Sequence, residues 1–396
     1  LTFSPIAFLL LHGALTAVSP ALEEAAQTLR ATRGRVFLTV TWPLLRPALA
    51  NAFLLGFVES LADFGNPIVL SGNFEVLSIK IFFAVAGAQH DPGRAAVLAM
   101  VLLGLTLLAF WLQQRWVGRA SYVTVSGKGD GGAPAKLPRG LWRACFGIAA
   151  AWIAFTLICY AVILVGGFVR DIGGLFFSGS AWDSLFTTLE VAAVSAPLTA
   201  VVGLLAAYVI TRHRFAGRRA FEFLTLVSFA IPGTVIGVSY IVAFNVPPLE
   251  LTGGMAILVL CFVFRNMPVG VRAGVAALAQ IDKTLDEASA TLRASTLRTL
   301  REVILPLLRP AILATLVFSF THAMTAVSAV IFLATAKYNL ATVYIINRVE
   351  AGEYPLAIAY SSVLIFLMLA VLLLVQKAVG EARLGRRATV VLVTGN

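Results

Sequence analysis

Charged residues are scarce in this chain, at 12% of 396 residues, while hydrophobic residues make up 59%. A composition this apolar, with a mean hydropathy of +0.91, excludes an ordinary soluble domain. Several apolar runs reach the roughly 20 residues that a helix needs to cross a bilayer. We therefore expect an all-α, polytopic membrane protein in contact with the lipid bilayer.

Cysteine and histidine are rarer still, with three and four residues. No C-x-x-C pair occurs and the histidines lie far apart, so the pattern predicts no fixed metal site and no catalytic cluster. The stretch at 126–132, SGKGDGG, lacks the G-x-x-x-x-G-K-[ST] spacing of a nucleotide-binding loop. We expect no enzyme activity and no cofactor bound by this chain.

Acidic residues are outnumbered by basic ones, 19 to 30, which gives a net charge of +11. The basic residues do not form a nucleic-acid-binding stripe, because 24 of the 30 lie in alternate loops between apolar runs. Cytoplasmic loops of membrane proteins carry such an excess of Lys and Arg. These loops are therefore expected on the cytoplasmic side, with no nucleic acid as partner.

The apolar runs predict about nine transmembrane helices, near 1–18, 48–70, 95–113, 143–167, 184–210, 221–245, 254–271, 310–335 and 356–376. A stretch rich in Gly, Pro and Lys at 127–140 is typical of a flexible linker. We expect four regions: a membrane half at 1–113, a cytoplasmic linker at 114–142, a second half at 143–377 and a cytoplasmic tail at 378–396.

One segment occurs twice. Residues 22–48 and 285–311 align without a gap, 263 positions apart, and 15 of their 27 residues are identical. Each copy has the apolar spacing of a short amphipathic helix, with acids at its start and arginines at its end. Pro43 and Pro306 are expected to start the helix that follows. For a single copy, a solvated helix between two spans would explain this pattern, but two copies in register favour a shared function.

Glu24-Ala25-Ala26 and Glu287-Ala288-Ser289, with the prolines downstream, resemble the EAA loop of permeases from ATP-binding-cassette importers. The resemblance implies that each copy forms a coupling helix that docks on an ATPase subunit. The usual glycine of the family, six residues after the glutamate, is replaced by arginine in both copies. The implied coupling residues are Glu24, Ala25, Ala26, Arg30, Pro43, Glu287, Ala288, Ser289, Arg293 and Pro306.

Further segments, including 59–72, 212–245, 264–278 and 344–365, are similar to ferric-iron importer permeases that fuse two halves in one chain. The resemblance implies two tandem permease (MetI-like) repeats in the bacterial inner membrane. It also implies two copies of an ATPase subunit, which hydrolyse the ATP, and a periplasmic substrate-binding protein as partners. Importers of 2-aminoethylphosphonate or polyamines share many of these features. An ion-coupled secondary transporter is the more distant alternative, and it would not need two matched cytoplasmic helices.

In the repeat alignment, Leu1 pairs with Phe264, and more than a hundred residues with three apolar runs precede Phe264. We therefore expect the chain to be a fragment, or a truncated product, that lacks the first helices of its first half.

A few polar residues fall inside the apolar runs. Glu59 and Asp63 are four residues apart and would share a helical face, and Glu59 aligns with His322. Their oxygens would suit a ferric ion, so Glu59, Asp63 and His322 are candidates for the substrate path, although local pairing near the outer surface is an alternative. Arg265 and Asn266 precede Pro268, and we expect them to satisfy the carbonyl that this proline leaves free.

Overall fold

The structure is a computed structural model, and it describes residues 4–18, 20–70, 72, 74–87, 91–117, 139–170, 172–228, 231–282 and 284–391. The described residues form helices and irregular connections, with no strand among them, so the all-α expectation is confirmed. The first eight helices are α1 (Ser4–Ala17), α2 (Pro20–Thr28), α3 (Arg33–Val36), α4 (Trp42–Ala62), α5 (Gly65–Leu70), α6 (Leu77–Ala86), α7 (Pro92–Val117) and α8 (Arg139–Arg170).

Eleven more helices follow in the described part of the chain. They are α9 (Ile172–Phe177), α10 (Gly179–Arg212), α11 (Arg218–Val227), α12 (Gly233–Phe244), α13 (Met255–Ala279), α14 (Thr284–Thr291), α15 (Thr296–Thr299), α16 (Leu305–Leu307), α17 (Arg309–Thr325), α18 (Ala341–Glu350) and α19 (Tyr354–Val391). Two π-helical turns, Phe37–Thr41 and Leu300–Ile304, and one 3-10 turn, Val330–Phe332, complete the set.

Within the described residues, six helical stretches are long and apolar enough to cross a membrane. They are Arg33–Ala62, Pro92–Leu112, Arg139–Gly167, Gly179–Arg212, Met255–Ala279 and Tyr354–Leu374. A seventh is obtained if Leu297–Leu307 and Arg309–Thr325, bent by 74°, form one span. The chain is thus a multi-pass membrane protein, but the predicted count of nine helices is not confirmed.

The shortfall has local causes. The run at 221–245 is divided between α11 and α12, because Pro232 has no amide hydrogen and disfavours a helical residue before it. The run at 310–335 stops at Thr325, where Ala326 adopts an extended conformation with ψ of 140°. The helix α1 has only 14 residues.

By its contacts the chain divides into two units. The first unit comprises 1–63 and 97–162, and in it α1 packs against α4. The predicted linker at 114–142 falls mostly outside the described residues, which stop at Val117 and resume at Arg139. The predicted boundaries of the two halves, 1–113 and 143–377, stay predictions. Helix α19 continues to Val391, through most of the predicted tail at 378–396.

The second unit comprises 64–96 and 163–396, and its centre is α10, which packs against both α13 and α17. Glycines bring these helices into backbone contact: a Cβ on Gly203 would lie 2.9 Å from Cα of Gly270. Small residues permit this close approach between membrane helices. The hydroxyl of Tyr360 donates to the carbonyl of Ala181 at 2.9 Å, and so ties α19 to α10.

Candidate functional site: two matched segments and a polar cluster

The first copy of the repeated segment begins with α2, which has Pro20 at its start and Glu23 in its first turn. The helix ends in a tight reversal, where the amide of Arg30 donates to Gln27 at 2.9 Å and the amide of Ala31 donates to Ala26 at 3.1 Å. These two bonds define a Schellman motif, whose turning residue must adopt a left-handed conformation. Arg30 does so, with φ of 60°.

The second copy repeats this reversal after α14. The amide of Ala294 donates to Ser289 at 3.1 Å, and Arg293 has φ of 56°. Among the described residues, Arg30 and Arg293 are the only non-glycine residues with positive φ. The usual glycine of the family therefore has a conformational reason, and both arginines keep that conformation at a cost of about 1–3 kcal/mol each.

The correspondence extends beyond the reversal. In each copy a one-turn helix (α3 in the first, α15 in the second) leads into a π-helical turn. Both elements of the second copy begin and end 263 residues after their counterparts in the first, which is the offset of the repeated sequence. Pro43 and Pro306 each lie in the first turn of the next helix, as predicted. Further on, α4 and α17 end at equivalent residues, Ala62 and Thr325. The two stretches thus fold alike up to Pro43 and Pro306, but beyond them α4 is continuous whereas α16 and α17 are separated by a bend of 74°.

The two copies differ in how they are fastened internally. In the first copy, the Thr41 hydroxyl donates to Oε1 of Glu23 at 2.7 Å. The second copy has Ile304 in place of Thr41 and cannot form this bond. Instead, Ser289 and Thr299 share a buried hydroxyl hydrogen bond of 2.6 Å. Their counterparts in the first copy are Ala26 and Val36, which have the same shapes without the hydroxyl groups.

Both copies leave an apolar surface open to solvent. Leu29 and Leu292, at equivalent positions, are each 84% exposed, and Ala25 and Ala288 are also exposed. These leucines are part of the stripe that the sequence predicted, but this chain does not cover them. Glu24 is exposed beside them. A small, apolar and exposed helical face of this kind, present twice, is suited to sinking into a groove of another protein.

The residues predicted for the substrate path lie in separate units. Glu59 is half-buried in the last turn of α4, and Asp63 follows the helix end with φ of −65° and ψ of 128°. The helical φ of Asp63 keeps its Cβ in register with Glu59, while its ψ turns the chain away. His322 belongs to the second unit, in the last turn of α17, with its ring stacked on Phe318 at a centroid distance of 5.4 Å. That these three residues meet stays a prediction.

The expectation for Arg265 and Asn266 is wrong. Pro268 lies inside the continuous helix α13 and leaves the carbonyl of Phe264 without its usual donor. The hydroxyl of Ser228 donates to that carbonyl at 3.3 Å. The Arg265 guanidinium is directed instead at Ser328, and the Asn266 amide at the carbonyl of Ser319.

Arg265 is therefore a cation inside a membrane-spanning helix, and it does not bond to the backbone carbonyl that Pro268 leaves free. A charge near the centre of a bilayer costs about 2.5–3.5 kcal/mol on insertion scales. Within the described ranges, no group of three or more His, Cys, Asp or Glu side chains has an arrangement that could hold a metal ion. Sequence reasoning placed Arg265 correctly but assigned it the wrong partner, because Ser228 and Ser328 are both distant from it in the sequence.

The described residues form a multi-pass helical protein with two matched segments, each of which exposes an apolar face. The chain belongs to the family described as the inner membrane component of binding-protein-dependent transport systems, and the match covers residues 1–122 and 199–380.

Similar proteins include the ferric transport system permease protein FbpB of Actinobacillus pleuropneumoniae, which is 47% identical over 97% of this chain. A putative ferric transport system permease protein, FbpB 1 of Haemophilus influenzae, is 47% identical over 87% of this chain. The chain spans 58% and 57% of the length of these two relatives.

Among solved structures, a bacterial ABC transporter involved in the import of the acidic polysaccharide alginate has a similar fold. The TM-score is 0.52 at 18% identity, and the likeness covers 61% of this chain and 95% of that one. At this identity the likeness concerns the fold alone.

Proposed function

We propose that this chain is the membrane permease of an ATP-driven importer that moves ferric iron from a periplasmic binding protein into the cytoplasm. The observation that carries the proposal is the pair of exposed, matched segments around Leu29 and Leu292, both in stretches of the sequence rich in Lys and Arg. The choice of ferric iron rests on the relatives that are 47% identical.

In this proposal the chain has no ATPase site of its own and lies in the bacterial inner membrane. Two copies of a cassette ATPase dock on the two segments and hydrolyse ATP. When the ATPases close on each other, they push both segments, and the membrane helices switch access from one side to the other. A secondary transporter would have no use for two such docking segments.

We also propose that the chain contains two tandem permease repeats. The support is the constant offset between the bounds of the helical turns in the two segments, which equals the offset of the repeated sequence. We further propose nine membrane segments: the six long helices, the short α1, the broken pair of α11 and α12, and the bent segment ending in α17.

Glu59 and Asp63 are proposed to line the substrate path, together with His322. Carboxylate oxygens are hard ligands that suit a ferric ion. Replacing both acids, as Glu59→Gln with Asp63→Asn, should lower ferric uptake while the ATPase still binds. Unchanged uptake would assign the two acids to local structure.

The test of the coupling segments uses Leu29→Asp with Leu292→Asp, expressed with a cassette ATPase and a binding protein in bacteria that lack other ferric importers. Since both leucines are 84% exposed, their replacement should change the stability of the chain by no more than about 0.5 kcal/mol. We expect ATPase recovered by pull-down, and uptake of radioactive ferric iron, to fall at least tenfold. Ala288→Trp should act in the same way by blocking close approach.

The matched control is Leu297→Asp. Leu297 is 74% exposed and lies in the same segment, but the first copy has Gly34 at the equivalent position. We expect this variant to bind the ATPase normally. Full ATPase binding and full uptake in the double leucine variant would show that these segments are solvated loops, and the importer proposal would lose its main support.

A further inference from the structure

Arg265 lies deep within a membrane helix. It is ten residues from Met255 and fourteen from Ala279, the two ends of α13, so at 1.5 Å per residue it is about 15 Å or more from either end. Its Nη1 and Nη2 atoms each lie 3.4 Å from the Ser328 hydroxyl, a long contact for a guanidinium with five donors. In the described part of the chain, no carboxylate forms an ion pair with Arg265.

The guanidinium abuts the start of α12. A Cβ on Gly233 would lie 2.6 Å from Nη1 of Arg265, so the backbone at this helix end is in direct contact with the charge. The first turn of a helix has amide hydrogens without an internal acceptor. The residue before α12 is Pro232, and no side chain caps this end.

Polar atoms without a hydrogen-bond partner among the described residues occur on two helices of this unit, α12 and α17. Thr234, in the same first turn, is fully buried, and its hydroxyl has no hydrogen-bond partner among the described residues. On α17, the buried Ser319 hydroxyl and Nδ1 of His322 are also without a partner there. The Asn266 amide links the two sides, because its Nδ2 is 3.5 Å from the carbonyl of Ser319.

The cluster is thus rich in donors and in positive charge. It combines a guanidinium, an uncapped helix start and buried hydroxyl groups, and it includes no carboxylate paired with the guanidinium. An unpartnered buried polar group is costly, so groups of this kind beside a guanidinium favour a ligand that carries acceptor atoms. Broken membrane helices bind anionic groups in this way, with the positive end of a half-helix directed at the ligand.

We propose that Arg265, Ser328 and the first turn of α12 at Gly233 and Thr234 form a binding site for an oxyanion. The planar guanidinium matches two oxygens of a tetrahedral or carboxylate anion, and the amide hydrogens of α12 supply further donors. A bare ferric ion would be repelled by this charge. If the proposed function holds, iron therefore passes this site in a complex with oxyanions, with the anion facing Arg265.

The oxyanion could in principle be dissolved or belong to a lipid headgroup. The depth of Arg265, about 15 Å or more from either end of α13, favours a dissolved anion, because headgroups stay at the bilayer surface. Inorganic phosphate is therefore a suitable probe.

The experiment measures equilibrium binding of radioactive inorganic phosphate to the full chain in nanodiscs of neutral phosphatidylcholine. We expect saturable binding that weakens at least tenfold in Arg265→Gln and less in Arg265→Lys, which keeps the charge but loses the fork. Ser328→Ala should weaken binding about two- to fivefold, and because it removes one oxygen it reports on the site even if Arg265→Gln folds poorly.

The matched control is Arg272→Gln, an exposed arginine seven residues further along α13, which should bind phosphate as the unchanged chain does. No saturable binding, or equal affinity in the unchanged chain and in both Arg265→Gln and Ser328→Ala, would overturn the proposal. Binding that occurs only when anionic phosphatidylglycerol is added would assign the site to lipid and would also overturn it.

Ferric uptake is measured in parallel to separate this inference from the proposed function. Phosphate binding that depends on Arg265 without any ferric uptake would refute the proposed cargo and leave the oxyanion site standing. Ferric uptake together with phosphate binding that does not depend on Arg265 would support the proposed cargo and refute the oxyanion site.

Discussion

In the second unit, α10 packs on α13 and α17, whereas α1, α4 and α7 of the first unit line a groove of about 1390 Å³. Three positions show how the two faces differ. Gly270, Gly274 and Thr315 meet or adjoin α10 in the second unit. Their equivalents in the first unit, Ala7, Leu11 and Ala52, all line the groove.

The differences in side-chain size at these three positions change how closely a neighbouring helix can pack. Glycine at 270 and 274 lets the backbone of α10 come into contact with α13, while alanine and leucine in the first unit fill that space with side chains. The matched segments of the two units are therefore closely similar, but these three positions carry side chains of different size.

The largest expected effect comes from giving the second unit the residue of the first, as Gly274→Leu. A Cβ at this position would lie 2.6 Å from Cβ of Ala207 and 3.0 Å from Cδ2 of Leu204. Overpacking of this kind costs typically 1–3 kcal/mol, and we expect about 3 kcal/mol here because α10 would have to move away. Denaturant unfolding of the purified chain measures the loss.

The control for this change is Ala276→Leu, which adds a similar volume on an exposed part of α13 and should leave stability within about 0.5 kcal/mol. The reciprocal change, Leu11→Gly, should cost only about 1 kcal/mol, mainly through helix propensity. Similar losses for Gly274→Leu and Ala276→Leu would mean that the close approach of α10 is unimportant.

An intermediate effect is expected from converting the Ser289–Thr299 pair into the Ala–Val pair of the first copy. Thr299→Val alone leaves the buried Ser289 hydroxyl without its partner and should cost about 2 kcal/mol. Ser289→Ala should cost less, about 1 kcal/mol, since Thr299 keeps a hydrogen bond to the carbonyl of Ser295 at 3.2 Å. The double variant should be closer to the unchanged chain than Thr299→Val is.

A double-mutant cycle on thermal unfolding measures this coupling between the two hydroxyl groups. Strict additivity of the two single changes would show that the 2.6 Å contact contributes nothing of its own, and the structural difference between the copies would then carry no energetic weight.

The smallest effect is expected from restoring the usual glycine, as Arg30→Gly or Arg293→Gly. Glycine removes the strain of a positive φ but has greater freedom in the unfolded chain, so the net gain should be about 0.5–1 kcal/mol in each copy. The melting temperature should rise by a similar amount in both variants. A loss of stability in either one would show that the arginine side chain contributes more than its backbone costs.

Much of the cytoplasmic architecture could be predicted from the sequence because its signals are local. Acids and arginines at helix ends, and prolines in first turns, mark the elements around Pro43 and Pro306 within a few residues. The left-handed conformation of Arg30 could not be predicted from arginine itself, which has no preference for it; only the glycine that the family usually has there gave a hint. The apolar run at 221–245 continues through Pro232, so hydropathy predicts one span where the structure has two helices, α11 and α12.

The polar residues in the membrane were harder to interpret, since their partners are distant in the chain. Pro268 predicts a backbone carbonyl without its usual donor, but the sequence does not indicate that Ser228 rather than Arg265 donates to it. A run of apolar residues likewise does not reveal a bend such as the one of 74° before α17, so the predicted run at 310–335 is not one straight helix.

The strained arginines have a consequence at the level of the gene. Every codon for arginine becomes a codon for glycine through one base change in its first position. One base change would thus place glycine, which adopts this conformation without strain, at position 30 or, independently, at position 293. The strained conformation is nevertheless present at both positions. Neither half of the gene has therefore acquired the single base change that would remove its cost.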